Sequence, residues 1–548
     1  MHISIYFLIA LSLYLLFKVV VNFLFDYRAA RRAQSLGCHP PPVFPGEDII
    51  GISNARRFLQ ADRDKRFLDM LRERFHSTSA KEGRSVTTVG YKLMGSKSFI
   101  TIEPRNLQAL LATQFKDFAL GDVRARDLKP LLGNGIFAAD GVQWEHSRSL
   151  LRPQFVRGQI SDLDLTERHV QNFMLAITFR RDGWSSSFDI MPLFLRLTID
   201  SATEFLFGES VNSQLAALPG YERFAARSSA LNENRFTSAF DTAQVYLAKS
   251  GRLGPLYWMA HNKEFRDSCR ACHDFVDHFV KRALEAKSRV QFSRPSDPTH
   301  EKRPQKERYI FSHALAQQTD DPIEMRDHLM NILLAGRDTT ASMLTWMFLL
   351  FAQYNGIYVR LRRVILEHFG TYERPRNLSF AGLKDCSYLQ WTLNETLRLY
   401  PSVPFNSRRC IKDTTLPLGG GSDGLSPVFV RRGEEVNYSV HLMHRRKDIW
   451  GPDADDFRPD RWQNRKPIHA FEYLPFNAGP RICLGQQFAL TEAGYVVVRL
   501  VQRFEAVQAQ EGVGMPARGE PVSHALTLIN FPAHGVTVRV REATEGRF

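Results

Sequence analysis

Cysteine is scarce in this chain. It occurs six times in 548 residues, at irregular spacings, whereas small secreted domains carry dense and regular cysteines that form disulfides. The sequence therefore favours a reducing compartment. Phosphate-binding loops are also missing, because the run Gly419-Gly420-Gly421 has no strand–loop–helix setting and no following Lys-Ser/Thr. That run predicts a turn.

Acidic residues are too few to balance the basic ones. The chain has 58 Asp and Glu against 72 Lys and Arg, which gives a formal net charge of +14. Such an excess of positive charge suits the binding of nucleic acid, of an anionic membrane surface or of an acidic partner protein. No nucleic-acid-binding module is visible, so we expect a membrane or a partner protein and no nucleic acid. With 44% hydrophobic and 24% charged residues, the chain suits a globular protein with a large core.

The N-terminal stretch is almost wholly apolar. Residues 3–25 are interrupted mainly by Lys18 and Asn22, and about 20 apolar residues span a bilayer as a helix. A cleaved signal peptide, the alternative, needs a basic start and a shorter apolar core. Here the positive charges follow the apolar run, at Arg28, Arg31 and Arg32. This order predicts an uncleaved single-pass anchor with the rest of the chain in the cytosol.

The sequence predicts three segments. Residues 1–27 form the membrane anchor, residues 28–46 form a basic and proline-rich linker, and residues 47–548 form the main globular domain. Prolines stiffen a linker, so this one would hold the domain at a set angle to the membrane.

A long buried helix is predicted in the middle of the chain. Asp321, Pro322 and Glu324 have the spacing of an N-cap, a first-turn proline and a capping-box carboxylate, and the helical pattern runs to about Tyr354. Its middle is apolar on most sides, as in a helix that crosses a protein interior.

Within this helix lies Ala335-Gly336-Arg337-Asp338-Thr339-Thr340. Glycine and threonine are poor choices for a helix interior. A threonine hydroxyl can bond the carbonyl four residues back and bend the helix, and small residues leave room for a diatomic ligand. A glycine that serves only packing is the simpler alternative.

One stretch near the C-terminus combines a cysteine with glycines and an arginine: Phe476-Asn477-Ala478-Gly479-Pro480-Arg481-Ile482-Cys483-Leu484-Gly485. A helical pattern follows from Gln486 to about Phe504, and the N–H groups at its start would favour a thiolate. A thiolate can ligate haem iron, and Arg481 is a permanent cation that suits a haem propionate. A buried cysteine in a loop is the alternative for the cysteine taken alone.

Two further motifs each bring two side chains together on one helix face. Trp144 and Arg148 are four residues apart, so an indole N–H and a guanidinium share one face and suit a carboxylate. Glu395 and Arg398 are three apart, a spacing that usually gives only a solvated surface pair.

These motifs, in this order, resemble the landmarks of the cytochrome P450 family, the haem-thiolate monooxygenases. The resemblance implies a mainly α-helical P450 fold with a small β region, Cys483 as the ligand of haem b, and proton delivery to O2 by Asp338 and Thr339. It also implies haem contacts from eight positions: Trp144, Arg148, Ala335, Gly336, Phe476, Gly479, Arg481 and Gly485. Glu395, Arg398 and Arg461 correspond to the family's structural Glu–Arg–Arg cluster.

The likeness is closest to the fungal subgroup that hydroxylates alkanes and fatty acids. It is carried by residues 334–341, 416–421, 444–449 and 485–493. It implies terminal hydroxylation of a small lipophilic long-chain substrate, at the endoplasmic reticulum membrane. Electrons would come from NADPH through a separate cytochrome reductase, with cytochrome b5 as an additional candidate partner.

Three positions depart from relatives. Ala478 and Ser407 stand where the subgroup commonly has glycine and phenylalanine, and the second lies near the expected substrate cavity. Ala335 stands where some fatty-acid hydroxylases carry a glutamate covalently joined to haem, so we expect no such link.

Three other functions remain open. A monooxygenase of fungal secondary metabolism would share every motif. A non-enzymatic haem carrier or sensor gives no reason for Asp338 and Thr339 on a buried helix, and a haem-thiolate isomerase would not need proton delivery.

Four remaining segments give structural predictions. The Cys269-x-x-Cys272-His273 pattern of covalent haem attachment is rejected, because both cysteines fall on an apolar helical stripe. The segment from Lys287 to Arg308 predicts a solvated loop. The run Arg445-Arg446-Lys447 predicts either a docking patch for an acidic reductase or an ordinary solvated charge run. Phe137 and Phe405 are candidates either to narrow a substrate channel or to pack in the buried core. The channel would be bounded by a loop of residues 118–137, the long helix before Thr339 and residues 403–406.

Overall fold

The computed structural model describes residues 26–156, 163–220, 233–292, 309–464, 470–509 and 519–543, with a few isolated positions before residue 25. Most of the anchor predicted over residues 1–27 therefore lies outside the described residues. Among the residues that are described, no helix is both long enough and apolar enough to cross a bilayer.

Helices account for most of the described chain. They are α1 (Ile52–Arg63), α2 (Phe67–Glu82), α3 (Pro104–Gln108), α4 (Asp122–Leu132), α5 (Gly141–Leu151), α6 (Leu163–Leu175), α7 (Met191–Phe207), α8 (Ser213–Ala216), α9 (Glu233–Leu253), α10 (Lys263–Phe292), α11 (Phe311–Ala316), α12 (Pro322–Gln353), α13 (Asn355–Phe369), α14 (Phe380–Asp385), α15 (Ser387–Leu399), α16 (Val440–Met443), α17 (Lys447–Trp450) and α18 (Gln486–Arg503). Short 3-10 turns occur at Phe115–Asp117, Arg152–Phe155, Gly254–Ala260, Pro459–Trp462 and Gly479–Arg481, and a π-helical turn at Ala109–Thr113.

The strands are few and short. They are β1 (Thr88–Leu93), β2 (Ser96–Thr101), β3 (Phe118–Ala119), β4 (Phe188–Asp189), β5 (Phe405–Cys410), β6 (Thr414–Gly420), β7 (Ser426–Val430), β8 (Glu435–Ser439), β9 (Phe504–Ala509), β10 (His524–Leu526), β11 (Asn530–Pro532) and β12 (Thr537–Glu542). The mainly α-helical fold with a small β region is thereby confirmed.

The chain forms two compact units. One comprises residues 1–58, 69–119 and 406–439, and the other comprises residues 59–68, 120–405 and 440–548. The first unit contains the five-stranded sheet β1-β2-β8-β5-β3 and the hairpin β6-β7. In that sheet β1 and β2 are antiparallel, and β2 pairs with β8 in parallel. The second unit contains the sheet β4-β12-β9 and the hairpin β10-β11.

The segment predicted as a linker packs within the first unit. Its first residues are helical, and Arg32 forms an ion pair of 3.0 Å with Asp413. Further on, Pro42 accepts a hydrogen bond from the backbone of Gly90 in β1, and Phe44 is buried.

The turn predicted at Gly419-Gly420-Gly421 is wrong for its first two residues, which end β6. Gly419 has a φ of +118°, and a Cβ there would lie 2.5 Å from the Cβ of Thr88. A Cβ on Gly420 would lie 2.3 Å from the carbonyl oxygen of His39. These glycines therefore permit close packing of a strand, and the turn begins at Gly421.

The long helix α12 runs through the core of the second unit, as predicted. Asp321 caps it by accepting from the backbone N–H groups of Ile323 and Glu324. The capping box is incomplete, because the Asp321 N–H donates to Thr319 Oγ1 and not to Glu324. Most side chains from Met325 to Phe351 are buried.

Helix α10 settles two predictions. Cys269 and Cys272 are buried in the core together with Phe275 and Phe279, which confirms that they are structural. The loop predicted from Lys287 is wrong at its start, because α10 continues to Phe292. No proline or glycine interrupts this helix before Pro295, and residues 293–308 lie outside the described part of the chain.

Candidate active site

The cysteine loop is a tight turn closed by backbone hydrogen bonds. The Cys483 N–H donates to the carbonyl of Phe476 at 3.0 Å, and the Ile482 N–H donates to that of Gly479 at 3.0 Å. Gly479 has a φ of +66°, a left-handed conformation that a glycine adopts without strain. Helix α18 begins at Gln486, directly after Gly485, as predicted. The loop therefore holds the thiol at the start of a buried helix.

Cys483 differs from the other cysteines. The other five are buried, whereas Cys483 has an exposed side chain. Burial nevertheless raises the pKa of its thiol, while the Gly485 N–H and the Arg148 charge act in the opposite direction. Exposed surface and a desolvated environment occur together when a group lines an internal cavity. A thiol in that setting is suited to bind a metal that enters the cavity.

One face of α12 is less buried than the rest of the helix. Along a largely buried stretch of helix, Ile332, Ala335, Gly336 and Thr339 are only partly buried. Their spacing of three, four and seven residues places them on one face. Three of these four side chains are small, so we infer that this face of α12 borders an internal cavity.

No close contact between protein atoms requires a glycine at position 336 or at position 485. A Cβ on Gly336 would meet only the Cβ of Ala202, at 3.9 Å, and one on Gly485 would meet Phe155 at 3.7 Å. Both are ordinary van der Waals distances. Glycine at these positions fits a surface that packs closely against a bound flat group, so the residues present fit a haem.

Thr339 is hydrogen-bonded within its own helix. Its Oγ1 donates to the carbonyl of Ala335 at 2.6 Å, the back-bonding expected from the sequence. The carbonyl of Thr339 accepts from Ser402 Oγ at 3.1 Å. The threonine is therefore held from two sides, and its side chain lies on the cavity face of α12.

Asp338, next to Thr339, is a buried carboxyl. Its Oδ1 lies 3.3 Å from Arg337 Nη1. Burial raises the pKa of Asp338 to about 6, against the charge of Arg337 and a hydrogen bond from Gln244. A carboxyl with a pKa near the operating pH can both hold and release a proton.

Trp144, Arg148 and Arg481 come together beside the cysteine loop. Arg148 Nη1 donates to the carbonyl of Ile482 at 3.1 Å, and the Arg481 guanidinium lies 4.3 Å from the centre of the Trp144 ring. Arg481 also has a partner that the sequence did not suggest, because its Nη2 donates to Asp140 Oδ1 at 2.6 Å. Arg481 is therefore positioned by a carboxylate of the protein itself.

Glu395, Arg398 and Arg461 form one buried cluster. Arg398 donates to both oxygens of Glu395 at 2.9 Å, and Arg461 Nε donates to Glu395 Oε1 at 3.1 Å. Glu395 and Arg398 have no exposed side-chain surface, so the alternative of a solvated surface pair is wrong. Burial alone would raise the pKa of Glu395, but the two arginines hold it below its usual value. The three residues that the resemblance assigns to one cluster are thus in direct contact, and their structural role stays a prediction.

The basic run Arg445-Arg446-Lys447 is not a solvated patch. Arg445 pairs with Asp455 at 2.8 Å and Arg446 pairs with Asp448 at 2.6 Å, and their side chains are only 11% and 14% exposed. Local acidic partners neutralise both arginines. The alternative of an ordinary solvated charge run is therefore wrong for both arginines, whereas the docking of a reductase at this run stays a prediction.

The two candidate channel residues are both in contact with neighbours. Phe405 meets Phe67 edge to face, with ring centres 5.7 Å apart, and Phe137 packs against a cluster of buried apolar residues. Residues 118–137 are not a loop throughout, because they include α4.

The sequence did not suggest one further acid. Glu492 on α18 is buried, and its Oε1 accepts from Ser201 Oγ at 2.5 Å. Burial raises the pKa of Glu492 to about 7. Only its helical position within a buried segment could have marked it.

Comparison with known proteins gives consistent matches. A family model described as Cytochrome P450 matches residues 64–528. The cytochrome P450 monooxygenase g430 of a Fusarium species is 48% identical over 96% of this chain and 88% of its own length. Cytochrome P450 52A12 of Debaryomyces hansenii is 43% identical over 89% of this chain and 91% of its own length. The crystal structure of the cytochrome P450DA haem domain has a TM-score of 0.69 at 18% identity, over 92% of this chain and 98% of that one.

Proposed function

The chain belongs to the cytochrome P450 family, and on that premise we propose that it hydroxylates long apolar chains, n-alkanes or fatty acids, at or near their ends. Membership of the family makes it a monooxygenase that uses a haem with a cysteine thiolate ligand, O2, and electrons from NADPH through a reductase. The choice of substrate rests on the subgroup resemblance. Relatives of the 52A series at 40–44% identity support it.

The haem would be held by residues around the cysteine loop. Cys483 is the proposed ligand, because its thiol alone among the cysteines has exposed surface, in a setting that is nevertheless desolvated. This observation carries the assignment. Arg148 and Arg481 would bind the propionates with Trp144, and Phe476, Gly479 and Gly485 would shape the loop. When bound, haem supplies the reduction of O2 and the oxidation of a C–H bond.

Asp338 and Thr339 on α12 would supply protons to the bound group, next to the space that Ala335 and Gly336 leave. Asp338 is buried beside the cavity face and can exchange a proton near neutral pH. The Thr339 hydroxyl, which already donates to Ala335, can accept a hydrogen bond from a water in the cavity. The two residues would thus hold a proton and a water in adjacent positions.

We also propose that the protein is anchored in the endoplasmic reticulum membrane by its N-terminal segment, with the catalytic domain in the cytosol. The apolar sequence of residues 3–25 supports this, and apolar side chains described there, such as Leu13 and Phe17, are exposed. A lipid-embedded anchor suits a substrate that partitions into lipid. Cytochrome reductase would be the electron donor, with cytochrome b5 as an additional donor.

Product analysis tests the substrate. Membranes that carry the protein, a reductase and NADPH are supplied with dodecane or a long fatty acid, and we expect oxidation at the terminal carbon. Affinity should rise by about 0.8 kcal/mol per buried CH2, about fourfold, until the channel is full. If neither class is oxidised while a ring-shaped metabolite is, the enzyme belongs to secondary metabolism instead.

Regioselectivity gives a second test. A terminal C–H bond is stronger than an internal one, so terminal attack requires a channel that presents only the chain end. Phe405→Ala should therefore shift product towards internal carbons. Phe67→Ala is the matched control, because it removes the ring that packs against Phe405. Unchanged regiochemistry in Phe405→Ala would exclude this residue from the channel.

A further inference from the structure

Arg337 lies between two carboxylates that belong to different helices. Its Nη1 is 2.5 Å from Asp241 Oδ1 on α9 and 3.3 Å from Asp338 Oδ1 on α12. The Arg337 side chain is 3% exposed, whereas that of Asp241 is 55% exposed. One buried guanidinium is therefore shared, and it is closer to the aspartate at the surface.

Helix α9 supplies two more contacts, one to Arg337 and one to Asp338. The ring centre of Phe240 lies 5.5 Å from the Arg337 guanidinium, and Gln244 hydrogen-bonds to Asp338. Residues 240, 241 and 244 fall on one face of α9. From α10, the buried thiol of Cys272 is the remaining group that acts on Arg337, and burial raises its pKa so that it stays neutral. The charges that decide the state of Asp338 are thus those of Arg337 and Asp241.

The way in which the Arg337 guanidinium is shared between Asp241 and Asp338 affects proton transfer. A carboxylate in a full ion pair with a buried arginine is stabilised in its ionised form and gives up the capacity to carry a proton. Asp241 draws the guanidinium towards itself, so Asp338 is left with a longer contact to Arg337. Burial can then keep a proton on Asp338.

We propose that Asp241 is a positioning residue for proton delivery: it takes up the charge of Arg337, so that Asp338 is not locked in an ion pair and can pass a proton towards Thr339. This inference rests on the proposed role of Asp338 as proton donor. Because Asp241 and Gln244 belong to α9, displacement of α9 would leave the guanidinium to Asp338 alone and stop delivery.

Infrared titration of the Asp338 carboxyl in the haem-loaded protein tests this directly. The band is identified by its loss in Asp338→Asn. In Asp241→Asn the titration midpoint should fall by about one pH unit, a tenfold change in proton affinity, because a nearby negative charge is lost and Arg337 turns to Asp338. Asp241→Glu should restore the midpoint. Gln244→Leu, which removes a hydrogen bond that favours the ionised form, should raise it.

The fraction of NADPH electrons released as hydrogen peroxide is the second measurement. It should rise in Asp241→Asn and recover in Asp241→Glu. Asp277→Asn is the matched control, since Asp277 on α10 pairs with Arg326 of α12 at 3.1 Å and makes no contact with Asp338 among the described interactions. That control should leave both the midpoint and the peroxide fraction unchanged.

Three outcomes would overturn the inference. An unchanged midpoint in Asp241→Asn would mean that Asp241 does not control Asp338. A lower midpoint with normal peroxide release, while Asp338→Asn releases more, would mean that the control has no effect on delivery. Normal peroxide release in Asp338→Asn itself would remove the donor role, and the proposal with it, whatever the infrared midpoint.

Discussion

The Thr339 hydroxyl donates a hydrogen bond to the carbonyl of Ala335, one turn earlier in α12, at 2.6 Å. Its single proton is therefore used within the helix, and towards the cavity the oxygen acts as an acceptor. Such a hydroxyl can hold a water that carries protons from Asp338. In the proposed mechanism, Thr339 would therefore orient a proton carrier, and Asp338 would exchange the proton.

Thr339→Ala should remove this acceptor without disturbing the fold. We expect the variant to bind haem and substrate normally while NADPH consumption yields hydrogen peroxide instead of hydroxylated product. Thr339→Ser is the matched control, because a serine hydroxyl can donate to the Ala335 carbonyl and accept in the cavity in the same way. Equal coupling in the alanine variant and the wild type would count against the role of Thr339.

Cys483→Ser tests the ligand. A serine hydroxyl is not a thiolate, so the reduced protein should lose its thiolate-type carbonyl spectrum. Cys386→Ala is the control, since Cys386 is a buried cysteine at the start of α15 and should leave the spectrum intact. Persistence of the thiolate spectrum in Cys483→Ser would reject the assignment of the site.

The Glu395 cluster should matter for stability. Glu395→Gln leaves the buried charges of Arg398 and Arg461 without their carboxylate, which typically costs about 3–5 kcal/mol. The exposed pair of Arg360 and Asp460, 2.7 Å apart, is the control, and Asp460→Asn should cost about 1 kcal/mol or less. The urea concentration that abolishes the thiolate-type spectrum measures both. Similar losses in the two variants would show that the cluster is not structural.

Features with local sequence signals were predictable. Asp321 and Pro322 predict the cap of α12, and the apolar pattern predicts α18. The predicted bounds of both helices agree with the structure within one or two residues. The cysteine loop was recognisable for the same reason, because its glycines and its cysteine lie within ten residues.

Features that depend on distant partners were not predictable. Asp241 is 96 positions from Arg337, and Asp140 is 341 positions from Arg481, so no local pattern links them. The prediction that Arg445 and Arg446 are solvated was wrong for another reason. Each arginine has an acidic partner within about ten residues, but their burial depends on tertiary packing.

The buried carboxyl of Glu492 should make stability depend on pH. Burial raises its pKa from 4.5 to about 7, while Ser201 and the charge of His169 act in the opposite direction. A group whose pKa is raised by folding contributes stability below its unfolded pKa, and that contribution is lost as pH rises through the folded pKa. Wild type should therefore lose stability between about pH 4.5 and pH 7 through this residue.

Glu492→Gln removes this titration. The difference in unfolding free energy, variant minus wild type, should therefore increase with pH over that window by an amount on the order of 3 kcal/mol and remain constant above it. Denaturant midpoints of both proteins at about pH 5 and about pH 8 measure the change. Glu395→Gln is the contrast, because the arginines lower the pKa of Glu395 and its contribution is instead lost as pH falls below the usual range. A pH-independent difference for Glu492→Gln would show that Glu492 is already ionised at neutral pH by a stronger partner than the Ser201 hydroxyl.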